Sequence, residues 1–367
     1  MDWKALAPHK PLGGDDPLHV PRPMGDGRRL ASMMRAGLGP FAVAGPVGSG
    51  KSTEIATAAE ELRLGAEFFA LDLSLDQVLN MRQITGADLL WVLGGSIFEV
   101  TRTKLQLQLE IPDEARSRMT GKAPSHQGHL EPGPYRDAFL AVIREFKKKS
   151  PASQVAILVD GLEKCPEEQA RSAVRTFLSL KDEVELAFVV PPSLVIGPAN
   201  AELLSELRVF PIRPVPVIEQ QGSHWKEGRQ FLADIFRRRM GKEDTNVDAL
   251  KPLLETAAIS SGGLPRTFLQ LMRDAGGYAT VANRELPTRE DLDNAMRDQT
   301  DSLRRLLRDG DMKVMRVADG SDGLEIPIER RVRLLSHGIL LENEVDDRVI
   351  VKMHPLLAQS DGEALYA

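Results

Sequence analysis

The stretch GPVGSGKST, residues 45–53, constrains the fold more than any other part of this chain. Gly45, Gly50, Lys51 and Ser52 fill the pattern G-x-x-x-x-G-K-[ST], between an apolar run and a helix-forming segment. Glycines let the backbone turn its N–H groups around phosphate oxygens, and the following helix adds its positive N-terminal end. The sequence therefore predicts a strand, a phosphate-binding loop and a helix in this order.

The chemistry of this loop predicts ATP and Mg²⁺ as ligands. Lys51 is expected to reach the β- and γ-phosphates, and the Ser52 hydroxyl is expected to ligate Mg²⁺. The full set of predicted nucleotide-binding residues is Gly45, Val47, Gly48, Ser49, Gly50, Lys51, Ser52 and Thr53. The alternative, a glycine-rich turn with a surface lysine, does not account for the flanking strand and helix.

A second motif, VAILVDGLEK, places an acid at the end of an apolar strand. A nucleoside triphosphatase needs such an acid to hold Mg²⁺ from the other side, so Asp160 is predicted as a metal ligand together with Ser52. Glu163 is predicted as the catalytic residue that orients or deprotonates the attacking water. A solvated carboxylate at a helix start is the equal alternative for Glu163.

Short apolar runs alternate with helical patterns in the first part of the chain. This alternation predicts an α/β fold with a parallel sheet, whose strands lie at 41–45, 67–73, 155–160, 184–190 and 207–212. Residues 101–135 are polar and rich in proline and glycine, and we expect a mobile insertion there. The predicted domains are an N-terminal extension (1–24), a P-loop core (25–215), a helical lid (216–300) and a small C-terminal module (301–367).

Composition limits the cellular context. The formal net charge is −6, which gives no global reason to bind nucleic acid or an anionic membrane. The single cysteine, Cys165, cannot form an internal disulfide, and the start of the chain lacks the pattern of a signal peptide. We therefore expect a cytoplasmic protein without a membrane partner.

A third stretch, SSGGLPRTFLQLMRDA at 260–275, breaks at its glycines and proline and then opens a helix. Arg266 stands at this helix start, where its planar guanidinium suits phosphate oxygens. Arg266 is predicted as the second catalytic residue, with a surface arginine after a turn as the alternative.

Together these three motifs resemble the AAA+ and STAND classes of P-loop ATPases, particularly the branch close to origin-recognition-type proteins. DGLE at 160–163 is similar to the magnesium strand of STAND proteins, GGLP resembles their GxP motif, and Gly263 to Arg266 resembles the AAA+ sensor 2. The resemblance implies that Arg266 couples the lid to the γ-phosphate. It also implies an ATPase and a homo-oligomer in the ATP state.

The sequence departs from the AAA+ pattern at two places. AAA+ hydrolases carry a glutamate directly after the magnesium aspartate, whereas this chain has Gly161, so hydrolysis is expected to be slow or to depend on Glu163. Where AAA+ proteins present a polar sensor, only Ser193 could serve. The candidates for an arginine finger acting in trans are Arg171, Arg175 and Arg213, and the sequence does not choose among them.

The C-terminal module, residues 301–367, is predicted to contain a helix at 302–309, a second amphipathic helix and a hairpin, and it resembles a winged helix. It holds 10 basic and 13 acidic residues, a net charge of −3, whereas DNA-binding modules are usually strongly positive. The expected recognition helix, 326–336, carries Arg330, Arg331 and Arg333. The acids expected beside it are Glu325, Glu329, Glu342, Glu344, Asp346 and Asp347. Protein docking or autoinhibition is favoured over DNA binding for this module.

The sequence thus predicts an ATP-binding and ATP-hydrolysing AAA+/STAND-type switch. Its nucleotide state would control assembly and the engagement of a protein effector in trans, for example in bacterial signalling or defence. The alternative is an origin- or transposition-type ATPase that acts on DNA through its winged helix. A third reading is a nucleotide-stabilised scaffold with negligible hydrolysis.

Overall fold

The computed structural model describes residues 2–7, 12–127, 131–219, 224–241, 245–345 and 348–359. The chain divides into two compact units, one formed by residues 27–44 and 52–210 and the other by residues 1–26, 45–51 and 211–367. The domain boundaries predicted from the sequence remain predictions. No described helix has the length and apolar character needed to cross a membrane.

A five-stranded sheet forms the centre of the first unit. Its strands are β1 (Phe41–Ala44), β2 (Phe68–Ser74), β3 (Gln154–Asp160), β4 (Glu185–Val189) and β5 (Arg208–Pro211), and they lie in the order β2-β3-β4-β1-β5. The pairs β2–β3, β3–β4 and β1–β4 are parallel. β1, β3 and β4 are buried along nearly their whole length and read as continuous apolar runs, whereas the edge strand β5 has Arg208 and Val209 exposed. All five predicted strands are present. The α/β fold class is confirmed.

Helices cover this sheet and supply most of its core. They are α1 (Asp26–Arg35), α2 (Lys51–Arg63), α3 (Gly86–Thr103), α4 (Asp113–Thr120), α5 (Gly133–Lys149), α6 (Glu167–Leu178), α7 (Pro192–Val195) and α8 (Ala201–Ser205). Phe177 on α6 stacks on Phe188 of β4 with ring centroids 5.3 Å apart. Because β1 and β3 are in one parallel sheet, Ala44 and Asp160 both leave the sheet at its carboxyl edge.

The segment 101–135 differs from the expected mobile insertion. It contains the end of α3, the whole of α4 and a 3₁₀ turn at Pro124–Gln127, while residues 128–130 lie outside the described part. Leu109, Ile111, Ala115 and Met119 are buried in the core of the first unit. The buried apolar residues of this segment stand singly between polar ones. The sequence is therefore polar overall, and its buried face is not recognisable from composition.

The second unit contains the helices predicted for the lid. They are α9 (Trp225–Met240), α10 (Lys251–Ser260), α11 (Pro265–Val281) and α12 (Arg289–Arg304). Thr288 caps α12 through a capping box with Asp291. The N-terminal 3₁₀ turn Trp3–Leu6 joins the same core, and a Cβ on Gly276 would lie 2.0 Å from the Trp3 ring. The start of the chain is therefore part of the packing around α11.

The C-terminal part of this unit consists of α13 (Asp311–Ala318), α14 (Ile328–Ser336), β6 (Leu340–Val345), β7 (Arg348–Met353) and α15 (Pro355–Gln359). β6 and β7 form the expected antiparallel hairpin, and the predicted acids Asp346 and Asp347 lie outside the described residues. The predicted helix around 302–309 is wrong in position, because α12 ends at Arg304 and the next helix begins at Asp311. The carboxylate of Asp311 is fully buried and pairs with Arg330 and Arg333 of α14.

Candidate nucleotide-binding site

The phosphate loop connects β1, which ends at Ala44, to α2, which begins at Lys51. Gly48 and Gly50 have φ angles of +86° and +98°, a region that side-chain-bearing residues rarely adopt. The backbone therefore requires glycine at two of the positions that the motif contains.

The loop glycines also allow close contact with the segment that leads into the lid. A Cβ on Gly45 would lie 2.2 Å from the carbonyl oxygen of Ile212, and a Cβ on Gly48 would lie 2.9 Å from Cβ of Arg266. The N–H of Arg266 donates to the carbonyl of Gly48 at 3.4 Å. The loop is thus packed directly against the start of α11.

Lys51 is buried, with 8% of its surface exposed, and its ammonium group folds back over the loop. Nζ donates to the carbonyl oxygens of Gly45 and Pro46, each at 3.0 Å. Buried ammonium groups need such partners because burial without them is costly. The positive charge of Lys51 therefore lies at the loop, where it could bind the phosphate oxygens of a nucleotide.

Two buried oxygens of the predicted site have no hydrogen-bond partner among the described residues. They are Oγ of Ser49, in the phosphate loop, and Oδ1 of Asp160, at the end of β3. Ser52 and Thr53 are half-buried in the first turn of α2, and Val47 is exposed. An unsatisfied carboxylate oxygen and an accessible hydroxyl are the donor types that Mg²⁺ prefers, so these residues fit a Mg²⁺-nucleotide.

No cluster of three or more His, Cys, Asp or Glu that could hold a metal occurs within the described ranges. The predicted Mg²⁺ site does not need one. It would take the Ser52 hydroxyl and the Asp160 carboxylate from the protein, and the remaining ligands would come from the nucleotide and water.

Glu163 lies in a tight turn directly after Asp160. Its carboxylate accepts a hydrogen bond from the N–H of Gly161 at 3.1 Å, within the 3₁₀ turn Leu162–Lys164. Glu163 is thus held by its own turn, four residues before α6 begins at Glu167. Next to it, burial raises the pKa of the Cys165 thiol to about 11, with a smaller contribution from the Glu163 charge.

Gly161 occupies the position where AAA+ hydrolases carry a glutamate. Its φ is +106°, and a Cβ there would lie 3.3 Å from the backbone nitrogen of Asp76 and 3.4 Å from its carboxylate oxygen. A side chain at 161 would be strained by the backbone, and a carboxylate would meet a like charge. The local geometry therefore favours glycine at position 161.

The predicted arginine candidates differ in their surroundings. Arg171 pairs with Glu167 and donates to Asn200, and Arg213 pairs with Glu344 of the hairpin. Arg175 is the most exposed of the three, with 62% of its side chain exposed and one long contact to Glu202 at 3.8 Å. Arg266, at the start of α11, is exposed, and its guanidinium has no hydrogen bond or ion pair with any described residue.

Two polar residues near the site were missed by the sequence analysis. Arg22 is buried, pairs with Asp26 and donates to the carbonyl of Ser49 in the phosphate loop. Asn200 is buried and donates to the carbonyl of Ser193, the predicted sensor candidate. Neither belongs to a recognised motif, and the two carbonyl groups that accept from Arg22 lie 27 and 191 residues away in the chain.

No protein-family model matches the sequence, and no curated protein is a significant match. In structure the chain is similar to the Aeropyrum pernix ORC1 protein in complex with DNA, with 17% identity, a TM-score of 0.47, and coverage of 96% of this chain and 93% of that one.

Two further similar structures have comparable coverage. The Aeropyrum pernix ORC2 protein, solved as ADPNP and ADP complexes, has 11% identity, a TM-score of 0.48, and coverage of 98% of this chain and 96% of that one. The Thermotoga maritima RuvB Holliday junction branch migration motor has 12% identity, a TM-score of 0.38, and coverage of 92% and 96%. By its own sheet topology and phosphate loop the chain is a P-loop protein with an α/β fold, and it is similar in structure to origin-recognition-type and RuvB AAA+ ATPases.

Proposed function

We propose that this chain is an ATP-binding and ATP-hydrolysing switch of the AAA+ type, whose nucleotide state controls its assembly and the engagement of a partner. The observation that carries the proposal is the phosphate loop. It has glycine-requiring turns at Gly48 and Gly50, a buried ammonium on its carbonyls and Arg266, from the first turn of a lid helix, packed against it.

The residues have separate roles in this proposal. The N–H groups of the loop and the Lys51 ammonium bind the phosphates, and Ser52 and Asp160 hold Mg²⁺, which supplies charge neutralisation at the transferred phosphoryl group. Glu163, fixed by its turn, orients the attacking water. Arg266 contributes a free guanidinium that distinguishes triphosphate from diphosphate.

Turnover is expected to be slow. In the AAA+ pattern a glutamate directly follows the magnesium aspartate, whereas here a glycine with positive φ takes that place. General-base catalysis requires the base within hydrogen-bond reach of water, directly or through one further water. Glu163 therefore acts from a different backbone position. The ATP-bound state is expected to last longer than it does in motors that hydrolyse ATP rapidly.

Two outputs are candidates for this switch. The first is a protein effector bound in trans, and the second is DNA, as in the origin-recognition protein whose solved complex contains DNA. Among the C-terminal arginines, Arg330 and Arg333 pair with Asp311, and Arg331 pairs with Glu342. These pairings favour a protein partner for α14, because arginines held by carboxylates are not available to phosphates without losing those pairs.

Mass measurement of the parent protein tests the proposal. Samples without nucleotide, with ADP and with a slowly hydrolysed ATP analogue are compared, each with and without duplex DNA. Assembly that requires only the ATP analogue supports the protein-partner output, and assembly that requires DNA supports the second output. A mass that is the same in all samples, together with no nucleotide binding, contradicts the proposed switch.

A further inference from the structure

Arg22 is a buried cation that no recognised motif contains. Its side chain is 2% exposed and pairs at 2.9 Å with Asp26, which is 3% exposed. A buried guanidinium is retained at low cost only where its charge is paired and its N–H groups have acceptors. The partners of Arg22 therefore indicate what this residue holds in place.

One branch of the guanidinium holds the phosphate loop. Nη1 of Arg22 donates to the carbonyl oxygen of Ser49 at 2.7 Å and lies 3.6 Å from the position of a Cβ on Gly50. The carbonyl of Ser49 precedes Gly50 and Lys51, whose conformations determine where the loop N–H groups point. Arg22 thus holds the phosphate loop through the backbone carbonyl of Ser49.

The other branch reaches the segment that follows β5. Nη2 of Arg22 donates to the carbonyl oxygen of Arg213, and the side chain of Arg213 pairs with Glu344 on β6 of the C-terminal hairpin. The two parts of Arg213 therefore contact Arg22 and the hairpin. Charge-assisted hydrogen bonds thus link Ser49 through Arg22 to the backbone of Arg213, and the Arg213 side chain extends the connection to Glu344.

We infer that Arg22 is a positioning residue that sets the conformation of the phosphate loop and, through Arg213 and Glu344, transmits nucleotide binding to the C-terminal hairpin. This inference rests on the proposed function, since it names the route by which the nucleotide state reaches the module that engages a partner. A planar fork with two donor branches is needed, and lysine, with a single compact ammonium, cannot replace it.

Hydrogen exchange of β6 and β7 measures the transmission. The parent protein is compared without nucleotide, with Mg²⁺ and ADP, and with Mg²⁺ and a slowly hydrolysed ATP analogue. Three variants are measured beside it: Arg22→Lys, Glu344→Gln, and Glu342→Gln. The last is the matched control, because Glu342 is on the same strand but pairs with Arg331 of α14.

Nucleotide is expected to slow exchange in the hairpin of the parent protein. Glu344→Gln should reduce this difference at least twofold while nucleotide affinity stays within about twofold, and Glu342→Gln should preserve it. Arg22→Lys should weaken binding of the ATP analogue about tenfold and remove the difference at saturating nucleotide, since a charge-assisted contact is lost. A purely structural role for Arg22 would lower the melting temperature without removing the nucleotide dependence of the hairpin.

Equal behaviour of Glu344→Gln and Glu342→Gln overturns the inference, as does a parent hairpin that does not respond to a nucleotide that is bound. If Arg22→Lys does not fold, the comparison of Glu344→Gln with Glu342→Gln tests the proposed route by itself. A parent protein that binds no nucleotide refutes the proposed function as well, whereas binding without a hairpin response refutes only the route described above.

Discussion

The backbone N–H of Arg266 donates to the carbonyl of Gly48, and these two residues are so close that a Cβ on Gly48 would lie 2.9 Å from Cβ of Arg266. The first turn of the lid helix and the phosphate loop are therefore in direct contact. A ligand that moves the loop moves the residue predicted to sense the γ-phosphate.

Gly48→Ala is expected to weaken nucleotide binding and to destabilise the protein by about 1–3 kcal/mol, because the backbone is strained at φ +86° and the new methyl group meets Arg266. Thermal unfolding and nucleotide titration measure both effects. Gly277→Ala is the matched control, since a Cβ at this position of α11 meets no described atom within 4 Å. The control should stabilise the protein by about 0.5–1 kcal/mol. Similar losses in both variants would contradict the specific contact.

Lys51→Ala is expected to abolish measurable ATP binding, because it removes the buried cation on the loop carbonyls. Calorimetric titration with Mg²⁺-ATP measures the affinity, and circular dichroism checks the fold. Lys251→Ala, at an exposed lysine that begins α10, should bind as the parent does. Unchanged affinity in a folded Lys51→Ala protein would refute the assignment of the loop.

Glu163→Gln should bind ATP normally and hydrolyse it at least tenfold more slowly, since loss of a general base typically costs about 10²- to 10⁴-fold. Phosphate release under saturating ATP measures the rate. Glu167→Gln, which changes an exposed carboxylate in the first turn of α6, serves as control. If both variants turn over at the parent rate, the water is activated by another group.

Arg266→Ala is expected to leave the affinity for ADP nearly unchanged and to weaken that for a slowly hydrolysed ATP analogue. A charge-assisted contact contributes roughly 1.5–3 kcal/mol, which is about ten- to a hundredfold in affinity. The ratio of the two dissociation constants is the readout. An equal loss for both nucleotides would make Arg266 a residue that only supports the Gly48 contact.

His354 makes stability dependent on pH. The side chain is fully buried, and burial lowers its pKa from 6.5 to about 4, while Nδ1 accepts a hydrogen bond from the N–H of Leu356. The unfolded chain binds a proton between these values and the folded chain does not, so the free energy of unfolding falls as pH drops from 6.5 towards 4. The loss is up to about 3 kcal/mol.

Denaturant unfolding at several pH values between 7 and 4 measures this dependence. His354→Asn keeps an acceptor at the Nδ1 position but cannot titrate, and it should remove most of the slope in this range. A slope that is the same in the parent and in the variant would assign the acid sensitivity to other groups.

The five strands of the sheet were predictable because each contains a short apolar run, although β2 ends at Ser74 and β5 begins with the exposed Arg208. The segment 101–135 was not, because Leu109, Ile111, Ala115 and Met119 become one buried face only when α4 packs against its neighbours. Helix α13 was missed for a related reason. Its fully buried Asp311 is tolerable only because Arg330 and Arg333 come from a later helix.

Within the candidate site, local motifs predicted the loop residues, Asp160, Glu163 and Arg266, and these roles remain predictions. They did not reveal Arg22, which pairs with the nearby Asp26 but donates to the distant carbonyls of Ser49 and Arg213. Nor did they show that the predicted finger candidate Arg213 pairs with Glu344 in the acidic hairpin. Long-range pairing is not encoded in the composition of either segment, so only the structure brings these residues together.

The turn at Gly161 has an evolutionary consequence. The backbone at φ +106° and the close approach of Asp76 penalise any side chain at this position. A lineage that acquired glutamate here would first have to rebuild the turn, so a single point mutation does not readily place a carboxylate directly after Asp160.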